Sequence, residues 1–141
     1  MKYAKIADVI DKSNAVAVYM ENNGLGAPII NEVKKLVRNK SKIYEWSTTN
    51  SSKEEIITNL AVRIANKELF FNDEDVELFS QFGTFLCKIS PKTKRFTFEA
   101  MAGSHDDRIM SLAIALRCRE DFKYAGKPNI NFAMTKSKLF I

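Results

Sequence analysis

The chain has 141 residues, 45% of them hydrophobic and ten of them Phe, which is enough for one domain with a buried core and excludes a disordered chain. Its 22 Lys and Arg against 17 Asp and Glu leave a formal charge of +5, which suits a polyanionic partner without requiring one. Cys87 and Cys118 lack a CxxC spacing, and with the single His105 they cannot complete a zinc set without carboxylates, so they read as reduced thiols.

The opening "MKYAKIADVI" lacks the apolar run of a signal peptide, and Ile6, Val9 and Ile10 at helical spacing predict a short amphipathic helix over 3–13. "AVAVYM" (15–20) is apolar almost throughout and reads as a buried, parallel strand. "ENNGLGAP" follows, and Pro28 suits the first turn of a helix whose buried face carries Ile29, Ile30, Val33, Leu36 and Val37. "KIYEWSTT" (42–49) predicts a second strand. Ser51, with Glu54 three residues on, has the capping-box pattern for a helix burying Ile56, Ile57, Leu60, Ala61 and Ile64. "ELFF" (68–71) reads as a short strand and "DEDVELFSQF" as a short helix. "CKISPKTKRFTFEAM" is a hairpin around Ser-Pro-Lys-Thr, and a last helix runs from Asp106 to about Arg119 with Ile109, Leu112, Ala113 and Leu116 inward. Residues beyond 120 show little periodicity and read as a tail. The alternation makes an α/β chain with one mixed sheet. No stretch is long enough to cross a membrane, and no GxxxxGK[ST] loop is present.

Two places concentrate oxygen ligands. Glu21 closes a strand predicted to be buried, and strand ends of this kind are where open α/β sheets bind ligands. It reads either as a cation ligand or as an ordinary strand-end acid making turn hydrogen bonds. Asp106 and Asp107 stand side by side at the mouth of a helix, where one would serve as a cap. Two in a row repel unless a cation neutralises them, and hard oxygen ligands suit magnesium or manganese. Capping and metal binding both remain open at this point. His105 is equally a surface histidine or a further ligand.

Three motifs follow one another in order: "MENNGLG" (20–26), "STTNSSKEE" (47–55) and "FTFEAMAGSHDD" (96–107) before the last helix. In this order they resemble the C-terminal nuclease domain of the large terminase subunit of tailed bacteriophages, over about residues 3–120. The resemblance implies an RNase H-like (RuvC-like) mixed sheet flanked by helices over 1–120, with 121–141 as a C-terminal tail. It implies an endonuclease that cuts concatemeric viral DNA by phosphodiester hydrolysis, with two Mg2+ or Mn2+ ions held about 4 Å apart. Glu21 matches the family's second-strand carboxylate, and Asp107 with Asp106 beside it matches the acidic pair of the last helix, with His105 adjoining. Lys53 matches the Ser-Lys position; it reads as a phosphate contact or as a solvated lysine, and Asn22 and Asn23 join it as candidate nucleic-acid contacts. The implied partners are double-stranded DNA, the terminase ATPase domain, the small terminase subunit and the portal, in the host bacterial cytoplasm with no membrane.

The family carries its first catalytic aspartate on an opening strand that has no counterpart here, since Asp8 and Asp11 fall in the predicted first helix. The expectation is an N-terminally truncated domain, with the ATPase motor also outside it, and Met110 where RuvC-like helices often place a further acid. An open edge at "AVAVYM" then predicts a homo-oligomer, or completion of the sheet by another polypeptide. Two alternatives stand beside the nuclease. One is a catalytically incomplete DNA- or portal-binding fragment of a prophage terminase; the other is a RuvC-like resolvase, against which "STTNSSK" counts.

Overall fold

The computed structural model describes residues 2–94 and 96–123, so most of the expected tail, from 124 on, lies outside the described residues. The chain is mixed α/β and divides into two compact units, residues 2–49 with 117–123 and residues 50–94 with 96–116.

The first unit is built on α1 (Lys2–Lys12), β1 (Val18–Glu21), α2 (Gly26–Leu36) and β2 (Ile43–Trp46). The strands pair in parallel, Val18 against Ile43 through Glu21 against Trp46, with α2 as the crossover that parallel pairing needs. Alternation along β1 sends Val18 and Met20 to the helical side, where they pack against Ile10, Ile30, Val33, Val37 and Ile43. Tyr19 points the other way and stacks on Trp46 at 5.6 Å, with Tyr44 and Phe122 edge-on at 6.2 and 6.0 Å. Its hydroxyl donates to Asp121 at 2.6 Å, and burial together with that bond pushes the phenol up to about 12. Both faces of β1 are therefore apolar, which is why its sequence does not alternate. Val9 and Leu36, expected inside, are 60% and 45% exposed because their helices turn Ala7 with Ile10 and Ile30 with Val33 inward instead.

The second unit holds α3 (Asn50–Ala65), α4 (Val76–Thr84), the antiparallel pair β3 (Phe85–Ile89) and β4 (Phe96–Ala100), and the greater part of α5 (Asp107–Asp121). Ile56, Ile57 and Leu60 of α3 and Ile109, Met110 and Ala113 of α5 are buried. Met110, in the place considered for a further acid, is 7% exposed and packs as an apolar core side chain.

Three expectations are corrected. Among the described residues the strands form two hydrogen-bonded pairs, one in each unit, where one mixed sheet was expected. Helix α3 starts at Asn50, so Ser51 lies inside its first turn and is not the cap. Residues 68–71 form no strand. Their polar groups end α3 instead: Glu68 N–H donates to the Arg63 carbonyl at 2.9 Å and the Glu68 carboxylate pairs with the Arg63 guanidinium at 2.7 Å. Phe71 then buries its ring edge-on to Phe82 and Phe79, at 5.7 and 6.4 Å. Among the described residues no helix is long and apolar enough to cross a membrane.

Candidate functional site

Helix α5 begins at Asp107, which puts Asp106 in the capping position. Its carbonyl accepts the first helical bond, from Met110 N–H at 2.9 Å, but its carboxylate is turned to Lys53, whose ammonium donates at 2.9 Å. The orphan amides of the first turn are satisfied from elsewhere: Arg108 and Ile109 N–H both donate to Oε1 of Gln81, at 2.9 and 3.4 Å. Gln81 stands near the end of α4 and is 5% exposed. A buried amide is expensive unless bonded, and here the helix end bonds it. Arg108 adds an ion pair, donating to Asp75 at 2.9 and 3.1 Å and to Glu77 at 3.1 Å, which fastens the start of α5 to the start of α4.

This arrangement decides between the two explanations of the acid pair as far as capping goes. Gln81 does the capping, so neither aspartate is needed for it. The Asp107 side chain is exposed and, among the described residues, has no hydrogen-bond or ion-pair partner. His105 is exposed beside the pair. Lys53 lies in the first turn of α3, where a cation opposes the helix dipole, and the Asp106 carboxylate offsets that cost. Its ammonium also sits 5.8 Å from the centre of the Phe85 ring, and both members of the ion pair are only about a quarter exposed, at 23% and 25%. Gln81 and Phe85 were not singled out from the sequence. The one available signal was a lone Gln amid the apolar "VELFSQFGT".

The role of Gln81 is measurable. Gln81→Leu keeps the volume but leaves two amides without an acceptor, and it is expected to lower stability by about 1–3 kcal/mol in urea unfolding. An unchanged midpoint would remove Gln81 as the cap.

Glu21 belongs to the first unit, at the carboxyl end of β1, exposed and without a side-chain partner among the described residues. The loop after it is zipped to the chain following β2. Asn22 N–H donates to the Trp46 carbonyl at 2.9 Å, and the Asn23 amide both accepts from Thr48 N–H at 2.8 Å and donates to the Thr48 carbonyl at 2.7 Å. Asn22 Oδ1 accepts from the Ser47 hydroxyl at 2.8 Å. Asn22 and Asn23, considered as nucleic-acid contacts, thus spend their amides on extending the strand pairing past its end. Beside them, Glu45 accepts from Lys34 at 2.9 Å, and that ammonium holds its carboxyl below the usual range.

Adjacent carboxylates, one of them unpaired, are the donor chemistry that magnesium or manganese takes, with water filling the other positions. In the Asp106–Asp107 pair the Asp106 carboxylate is already taken by Lys53, and the Asp107 carboxylate is the one without a partner among the described residues. Among the described residues, no group of three or more His, Cys, Asp or Glu side chains comes together to hold a metal. No family model, curated protein or solved structure matches the chain.

Proposed function

We propose that the chain is a metal-dependent DNA endonuclease module of the RNase H-like, terminase large-subunit type, hydrolysing phosphodiester bonds of concatemeric viral DNA. The observation that carries this reading is the capping of α5 by Gln81, which frees both adjacent carboxylates from capping and leaves that of Asp107 without a partner among the described residues. Asp107 with Asp106 would hold the cation, with His105 beside them; Glu21 enters this reading only through the resemblance. The chemistry a divalent ion supplies there when bound is activation of water and stabilisation of the leaving 3′ oxygen. Lys53, held against Asp106, presents a cation to a phosphate oxygen and lowers the repulsion between DNA and the acid pair. Partners of this reading are double-stranded DNA and the remaining parts of the packaging motor.

The test is nicking of supercoiled plasmid in manganese, with EDTA and with Glu21→Gln as parallel samples. Metal-dependent nicking that fails in both is the expected result. A second reading is favoured by the lack of a three-ligand group among the described residues: a DNA-binding module that does not cleave. A gel shift with steep salt dependence and no nicking under any metal would select it.

A further inference from the structure

Hairpin β3–β4 turns one face almost entirely apolar. The register sets Phe85 opposite Ala100, Cys87 opposite Phe98 and Ile89 opposite Phe96, so these six side chains share a face. The three rings form a ladder: Phe85 and Phe98 lie 6.3 Å apart with planes 10° from parallel, and Phe98 and Phe96 lie 6.4 Å apart at 29°. At the inner end Phe85 carries the Lys53 ammonium, which pairs with Asp106. At the outer end the face is open, with Phe96 47% and Ile89 60% exposed. The opposite face carries the Lys88–Glu99 ion pair and Thr97, with the half-buried Leu86 at its inner end.

The inner part of this face, at Phe85, Phe98 and Ala100, is half-buried, and the exposed outer end at Phe96 and Ile89 is the part left for an occupant. Charge indicates which. Residues 85–100 carry Lys88, Lys92, Lys94 and Arg95 against the single acid Glu99, and Lys92 and Lys94 are exposed in the turn beside Phe96. The lysines favour an anionic partner over a purely apolar one, and the row of rings favours an anionic partner that carries many flat rings of its own. Single-stranded nucleic acid uses both, stacking bases on aromatic faces while lysines track its phosphates.

We infer that this face of the hairpin is a stacking platform for an unpaired nucleic-acid strand, running from the basic turn along Phe96 and Phe98 toward Phe85 and Lys53. This goes beyond the nuclease reading, whose substrate is duplex DNA, and rests on that reading only for what happens at the inner end. Phe96 is the outermost ring and, at 47% exposed, the one most accessible to a base.

The test is fluorescence anisotropy of a labelled oligothymidylate, and of a duplex of equal length, with the full chain in EDTA. Tighter binding of the single strand is expected. Phe96→Ala should weaken it about tenfold, Phe96→Trp should retain it, and Lys92→Ala with Lys94→Ala should flatten its salt dependence. Equal or tighter duplex binding, or no effect of Phe96→Ala in a chain with unchanged circular dichroism, would overturn the inference. So would self-association through this face that excess oligothymidylate fails to reverse. Because no metal is present, binding without later nicking in manganese counts against the nuclease reading alone. Nicking without a single-strand preference counts against the platform alone.

Discussion

Gly26→Ala is expected to destabilise the chain by about 3 kcal/mol or more in urea unfolding, although alanine is the better helix former. A Cβ at position 26 would overlap the carbonyl oxygen of Glu21 and come within 3.0 Å of its carbonyl carbon. That obstacle is backbone, so no rotamer change relieves it. Neither partner has room to yield. Gly26 is the first residue of α2, and its N–H is tied to the Asn23 carbonyl at 3.0 Å; Glu21 is the last residue of β1, paired opposite Trp46. The comparison is Gly24→Ala in the same loop. Gly24 has φ +58° and nothing within 4 Å of an added Cβ, so it should lose only the left-handed penalty of about 1 kcal/mol. Similar losses at both positions would mean the loop adjusts and the close approach is not what sets the turn.

Asp107→Asn is expected to reduce manganese-dependent nicking by at least about a hundredfold. Losing a group that merely orients a metal ligand costs about ten- to a hundredfold, and a direct ligand should cost no less. Its fold should be untouched, since the side chain is exposed and the α5 amides bond Gln81. Asp106→Asn should behave differently. It removes the anion that holds Lys53 at 2.9 Å, so the ammonium is released from its place over Phe85 as well. Plasmid assays on the two proteins, with thermal melts beside them, check this. Equal activity in wild type and Asp107→Asn would remove Asp107 from the site.

What could be read ahead of the structure was whatever short-range physics decides. Ile30 and Val33 recur at helical spacing behind Pro28 and α2 buries both, with Val37 buried just past its end. Ser90-Pro91-Lys92-Thr93 carries turn chemistry between two apolar runs, and β3 and β4 flank it antiparallel. Unbroken apolar character predicted that β1 is parallel, and it pairs so with β2. Residues 68–71 could not be resolved this way. A short apolar run looks alike in a strand or a packed coil, and the rings of Phe79 and Phe82 decided it. Strand pairing between distant segments is likewise a long-range choice, which is why one sheet was expected where two pairs form.

The same holds at the candidate site. The adjacency of Asp106 and Asp107 is visible in the sequence; the division of their duties is not. That division depends on Gln81, a residue of another helix whose amide takes over the capping. The duty of Asn23 depends in the same way on Thr48, which lies beyond β2. In both cases a side chain meets backbone far along the chain, and local pattern carries no record of it.

On the proposed reading the two aspartates at the head of α5 hold a cation and do not cap the helix. The most direct measurement is manganese binding by electron paramagnetic resonance titration of the wild-type chain and of Asp107→Asn, with urea unfolding of both in EDTA. Binding in the wild type that is lost in the variant, at equal stability without metal, is the expected result. A variant that is less stable in EDTA, with manganese binding absent or unchanged, would return Asp107 to a capping role and contradict the account.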